Sequence, residues 1–188
     1  MPFTFTPTGI AGLVVIEPRV FPDDRGFFVE SYKASDFAAA GIPVPFVQDN
    51  HSHSSRGTLR GLHYQNPPFA QGKLVRITRG AVWDVAVDLR PASPSYGRWH
   101  GLELSEHNHL MFYIPPGFAH GFLSLQDHTE LQYKCTAEYH GPADAGLRWD
   151  SPLLGIQWPD LGMEPLLSAK DLGLPVFEAG MVYFKGLL

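Results

Sequence analysis

Apolar and polar positions alternate over short distances along this chain, and glycine and proline interrupt the pattern repeatedly. Alternation with a period of two places successive side chains on opposite faces of a strand. Leu13-Val14-Val15-Ile16 predicts a strand that ends at Pro18, and Gly26 through Tyr32 predicts another. Val82 through Leu89 has few polar positions, so it predicts a strand buried on both faces. Met111-Phe112-Tyr113-Ile114 and Gly121-Phe122-Leu123-Ser124-Leu125 flank a Pro-Pro-Gly turn. Helical periodicity is scarce. Asp36 to Ala40 predicts a short helix with Ser35 as N-cap and Gly41 as stop, and Ser168-Ala169-Lys170-Asp171 opens a second. Many short strands with little helix point to an all-β sandwich or barrel. No internal repeat, low-complexity tract or linker divides the sequence, and 188 residues fit one domain over residues 1–188.

Strand parity places some polar tips on apolar faces. Lys73 shares parity with Val75 and Ile77, and Tyr133 shares it with Leu131 and Cys135. His63 shares it with Leu59 and Gly61. A base, a cation and a phenol directed into one interior can be parts of a proton-transfer site. Arg60 has the opposite parity to His63, so both line one pocket only if the strand bends or bulges between them, or if Arg60 belongs to the preceding loop.

Bulk properties narrow the function classes. A net charge of -5 gives no sign of a nucleic-acid surface. No apolar run approaches a membrane span, and the N-terminus lacks the basic and apolar regions of a signal peptide. The single cysteine, Cys135, cannot form an intrachain disulfide, so a reducing cytoplasm is the simplest compartment.

Pro115-x-Gly117-x-x-His120 resembles the second motif of the cupin superfamily, whose members are double-sheet jelly rolls that often bind a metal through histidines. The matching first strand carries His63 and Gln65 but no second histidine, a poor ligand set for zinc or iron. His51 and His53 have His-x-His spacing without a nearby carboxylate, and read as exposed loop histidines.

A larger set of motifs resembles the dTDP-4-dehydrorhamnose 3,5-epimerase family over about residues 10–175. The set comprises Asp24-Arg25-Gly26-Phe27-Phe28-x-Glu30, Phe46 to Ser52, Leu59-Arg60-Gly61-Leu62-His63-Tyr64-Gln65 and Gln71-Gly72-Lys73-Leu74-Val75. It continues with Asp84 to Asp88, Ile114 to Phe122, Tyr133-Lys134 and Leu167 to Asp171. The resemblance implies a cupin-type double-sheet jelly roll with one or two short helices, a homodimer with a shared active site, and a dTDP-4-keto-6-deoxy sugar as substrate. It implies cofactor-free epimerisation of dTDP-4-dehydro-6-deoxy-D-glucose at C3 and C5 in dTDP-L-rhamnose biosynthesis, with no metal. Protons beside a ketone leave as an enolate forms, so the reaction needs a base, an acid and an oxyanion donor.

By resemblance, His63 is the base, Asp171 its dyad partner, Tyr133 the acid and Lys73 the enolate stabiliser. An ammonium near Tyr133 would lower its pKa and make it a better acid. Arg25, Glu30, Gln48, Asn50, Arg60, His120 and Lys170 match positions that contact the sugar nucleotide, with Arg25 and Glu30 reaching across the dimer. Tyr139 matches a position that stacks on thymine. Asp144 stands where the family usually has glutamate, and the tail Val176–Leu188 is poorly matched. Taken singly, His63 also fits a core histidine, Asp171 a helix-capping residue and Tyr133 a core aromatic. Asp84 fits a partner for a backbone amide or a pocket cation. The alternatives are an epimerase acting at C5 or C3 only, a metal-dependent cupin oxygenase or isomerase, and a sugar-nucleotide binder without catalysis.

Overall fold

The computed structural model describes residues 2–184. Its strands form two stacked antiparallel sheets and a separate hairpin. In chain order the strands are β1 (Phe3–Pro7), β2 (Val14–Pro18), β3 (Val20–Asp23), β4 (Gly26–Val29), β5 (Gln48–Ser54), β6 (Leu59–Gln65) and β7 (Lys73–Arg79). They continue as β8 (Ala81–Asp88), β9 (Trp99–Ser105), β10 (Met111–Ile114), β11 (Phe118–Ser124), β12 (Thr129–Cys135) and β13 (Asp144–Gly146). One sheet runs β1-β2-β10-β7-β12-β5 and the other β13-β6-β11-β8-β9, while β3 and β4 pair only with each other. This is the cupin-type jelly roll expected from the motifs.

Between the sheets lies a core that includes Val75, Ile77, Val82, Ala86, Phe112, Phe118, Phe122 and Leu131. β8 is buried along almost its whole length, as its lack of polar positions predicts. Each fully buried aliphatic side chain there contributes roughly 1.5–3 kcal/mol of transfer free energy. The outer face of the six-stranded sheet carries a second cluster, in which Leu74, Met111 and Tyr113 pack with Phe37 and Ile42.

The two helices are α1 (Ala34–Ala39) and α2 (Ala169–Leu172). α1 starts before its expected position: Lys33 is the N-cap and makes no side-chain cap bond. Ser35 is therefore not the cap; it lies inside the first turn, where its hydroxyl contacts Asp36. Packing of Phe37 into the outer cluster, rather than capping chemistry, sets this helix. α2 follows the expectation, since the Ser168 hydroxyl accepts from the Asp171 N–H.

β6 contains the feature that shapes the site. His120 pairs with His63 and Phe122 with Arg60, so two residues of β6 oppose the single Gly121. The extra residue is a β-bulge, and it brings Arg60 and His63 onto the same face. Gly61 sits there with φ 133°, and a Cβ on it would lie 2.5 Å from the Gly121 Cα. Only glycine permits that approach.

Candidate active site

A cleft of about 320 Å³ opens between the sheets. Ser52 of β5, Lys73 of β7 and Tyr133 of β12 line it from the six-stranded sheet. Arg60 and His63 of β6 and His120 and Phe122 of β11 line it from the five-stranded sheet. Ser168, Lys170 and Asp171 close it from the α2 segment. That segment is tied down beside β6: the Leu59 N–H donates to the Leu166 carbonyl at 3.0 Å, and the Leu166 N–H to Gly57 at 2.8 Å.

His63 and Asp171 meet at 2.5 Å, Nε2 to Oδ1, although 108 residues separate them. A carboxylate only accepts, so the ring nitrogen facing Asp171 carries the proton and the other, in the neutral ring, is left as an acceptor. Asp171 is nearly fully buried, while the His63 side chain keeps 29 % of its surface exposed towards the cleft. The Ser168 hydroxyl donates to the second Asp171 oxygen at 2.7 Å. Asp171 thus meets His63 and the capping Ser168 at the same time. Burial lowers the His63 pKa, Asp171 opposes that shift, and Lys73 adds to it. The neutral, basic form is thus favoured down to lower pH than in an isolated imidazole.

Lys73 is half-buried, and its Nζ lies 5.7 Å from the centre of the Tyr133 ring. That distance is within the range of a cation–π contact. Burial holds the Lys73 pKa below the usual lysine value. Burial pushes the Tyr133 phenol up, with Arg60 opposing it. The expectation that a nearby ammonium lowers the Tyr133 pKa is corrected here: desolvation of the phenolate outweighs the surrounding cations. Tyr133 is therefore firmly protonated, a proton donor rather than a phenolate.

His120 is buried and contacts both oxygens of Asp84, at 3.0 and 2.9 Å. Asp84, expected to pair with a backbone amide or a pocket cation, thus has the His120 ring as its partner. Arg60 is anchored by its Nε to the Ser54 hydroxyl at 3.3 Å and by Nη2 to the His53 carbonyl at 3.2 Å.

Gln48, Asn50, Tyr139 and Asp144 form a rim joined to the cleft by hydrogen bonds. Gln48 donates to the Asn50 side-chain oxygen at 3.0 Å and accepts from the Tyr139 N–H at 2.7 Å. The Tyr139 hydroxyl donates to Asp144 at 3.2 Å, and Lys170 donates to the same carboxylate oxygen. The Tyr139 ring is exposed.

Arg25 and Glu30 do not line this cleft. Arg25 lies on the β3–β4 hairpin, exposed and paired with Asp23 at 2.6 Å. His51 and His53 are strand residues of β5 rather than loop residues, and His51 has a carboxylate neighbour, Glu130, at 3.3 Å. The separation of 79 positions hid that pairing from the sequence, since only the β5–β12 register creates it. Among the described residues no group of three or more His, Cys, Asp or Glu side chains is placed to hold a metal ion. Sequence reasoning missed Ser52, Phe122 and the second role of Ser168; inward parity on β5 was the available signal for Ser52.

Residues 7–179 match the family model described as dTDP-4-dehydrorhamnose 3,5-epimerase. The chain belongs to the dTDP-4-dehydrorhamnose 3,5-epimerase family. The dTDP-4-dehydrorhamnose 3,5-epimerase of Escherichia coli is 54% identical over 166 residues, covering 87% of this chain and 89% of that one. The crystal structure of the Bacillus anthracis family member, with TDP and PPi bound, superposes with a TM-score of 0.90 at 44% identity, covering 93% of this chain and 99% of that one. The Legionella pneumophila enzyme, solved in complex with dTDP-4-keto-L-rhamnose, has a TM-score of 0.88 at 43% identity and covers 94% of this chain and 100% of that one.

Proposed function

We propose that this chain epimerises dTDP-4-dehydro-6-deoxy-D-glucose at C3 and C5 to dTDP-4-dehydro-β-L-rhamnose, in dTDP-L-rhamnose biosynthesis. The observation that carries the reading is the His63–Asp171 pair at 2.5 Å in a cleft that Tyr133 enters from the opposite sheet. His63, neutral and oriented by Asp171, removes the proton beside the 4-keto group. Lys73 stabilises the enolate oxygen that develops, as an oxyanion donor does. Tyr133, protonated and on the far wall, returns a proton to the opposite face of the ring. Inversion follows because abstraction and delivery come from different sheets.

Arg60, His120 and Lys170 contact the sugar and diphosphate within the cleft, while Gln48, Asn50, Tyr139 and Asp144 hold the nucleotide at the rim. The reaction needs no metal or redox cofactor in this reading. The protein acts as a single domain and as a homodimer. Support for the dimer comes from the β3–β4 hairpin, which presents the exposed aromatics Phe21, Phe27 and Phe28 beside Arg25. A partner's cleft would take Arg25 and Glu30, which reach no part of their own. Cys135 is a free thiol, which supports a cytoplasmic setting.

The test is incubation with dTDP-4-dehydro-6-deoxy-D-glucose in D₂O, read by NMR. Deuterium at both C3 and C5, with product reducible to dTDP-L-rhamnose by the partner reductase, is the expected result. Label at one carbon only makes the chain a mono-epimerase, and absence of label defeats the reading.

A further inference from the structure

Every polar side chain on the inward row of β5 is hydrogen-bonded within the protein except one. Gln48 and Asn50 bond to each other at 3.0 Å, and the Ser54 hydroxyl accepts from Arg60 at 3.3 Å. Ser52 lies between them, and its hydroxyl is buried without any partner. It also lines the cleft with Arg60, His63, Lys73 and Tyr133. A buried hydroxyl left unpaired is destabilising, and native proteins retain few of them. Such a group persists where a ligand completes it.

We propose that the Ser52 hydroxyl is a substrate-contacting group of this site, hydrogen-bonded to a hydroxyl oxygen of the hexose and to no part of the nucleotide. The inference rests on the proposed function. Position along β5 selects the hexose. Gln48, at the start of the strand, holds Tyr139 at the nucleotide rim. Ser52 is four residues further on, roughly 13 Å along an extended chain. That distance carries it past the rim, one inward position beyond Asn50, which faces Tyr133, into the cleft that His63, Lys73 and Tyr133 also line and where the keto sugar reacts. Chemistry narrows the choice again. Lys73 and Arg60 can only donate, whereas a hydroxyl both donates and accepts, which suits a sugar hydroxyl.

The test compares wild type with Ser52→Ala and Ser52→Cys, titrated calorimetrically with dTDP and with dTDP-glucose, a hexose nucleotide without the reactive ketone. Ser52→Ala should weaken dTDP-glucose roughly three- to tenfold and leave dTDP within about twofold. The KM for the keto sugar should rise by a similar factor with kcat largely retained, because the contact is made equally in ground and transition states. The unfolding temperature of Ser52→Ala should equal or exceed that of wild type, since an unpaired hydroxyl is removed. Ser52→Cys, which keeps the volume with a poor hydrogen-bonding group, should show the same selective loss, and it decides the matter if the alanine variant does not fold. Unchanged dTDP-glucose affinity, equal losses for both ligands, or a clear drop in unfolding temperature overturns the proposal. A wild-type chain that binds dTDP-glucose but places no label in the D₂O experiment sinks the catalytic reading and leaves the Ser52 contact standing or falling on the titrations.

Discussion

Asp171 Oδ1 lies 2.5 Å from His63 Nε2, and the same carboxylate accepts from the Ser168 hydroxyl on its other oxygen. The short helix α2 is thus a device for holding one carboxylate against one imidazole. Replacing Asp171 with asparagine removes the charge while keeping the shape. Asp171 raises the His63 pKa, so its loss must lower that pKa further. We expect the acid limb of the Asp171→Asn pH profile to move to lower pH, with kcat reduced by about 10²–10⁴-fold as the orientation of the base is lost. Full pH profiles of kcat and of kcat/KM measure both, and an unmoved limb would remove Asp171 from the dyad.

The wild-type profile carries its own expectation. The base role proposed for His63 requires the neutral ring, and burial holds its pKa below 6.5. As pH falls, the free enzyme loses its base only below that value. The acid limb of log kcat/KM should therefore lie below pH 6.5, and His63→Ala should abolish exchange at both C3 and C5 while nucleotide binding persists. Solvent-exchange NMR on the variant, with dTDP titration beside it, checks the division; substantial residual exchange would reassign the base.

Tyr133 enters the cleft from β12, on the sheet opposite His63. Burial keeps it protonated, as the proton-donating role proposed for it requires. Tyr133→Phe removes the proton while leaving the ring against the core. Abstraction by His63 can continue, so deuterium exchange should fall less than net epimerisation, by about tenfold or more in their ratio. Equal losses would show that one group serves both faces.

How far the site was legible in the sequence depends on the range of each interaction. Period-two alternation was enough to place Lys73 and Tyr133 inward, because parity is a local property of a strand. It also exposed the conflict between Arg60 and His63, and the bulge opposite Gly121 resolves it. Pairings that cross the chain were beyond it. The contacts of His51 with Glu130 and of Gln48 with Tyr139 exist only because β5 pairs with β12. The Tyr133 pKa was misjudged for the same reason: its direction depends on depth of burial, which no spacing encodes. Ser35 looked like a helix cap, but packing of Phe37 started α1 a turn edge earlier.

Gly61 gives the most direct test of the bulge. Its φ of 133° lies where side chains are rarely tolerated, and an added Cβ would sit 2.5 Å from the Gly121 Cα and 3.0 Å from the His120 carbonyl oxygen. Both obstacles are backbone, so neither can rotate away. Gly61→Ala must push β6 from β11, where His63 pairs with His120. The expected cost is on the order of 3 kcal/mol, a fall of about 6–12 °C in unfolding temperature. Activity measured well below that temperature should fall as well, because displacement of β6 moves His63 and Arg60 relative to Tyr133 and Lys73. Substitution at Gly26, whose φ of 136° is similar but whose Cβ would meet nothing within 4 Å, separates strain from collision. If Gly26→Ala and Gly61→Ala destabilise equally, the close approach of β6 and β11 contributes nothing beyond backbone strain, and the bulge is not what fixes the register of the site.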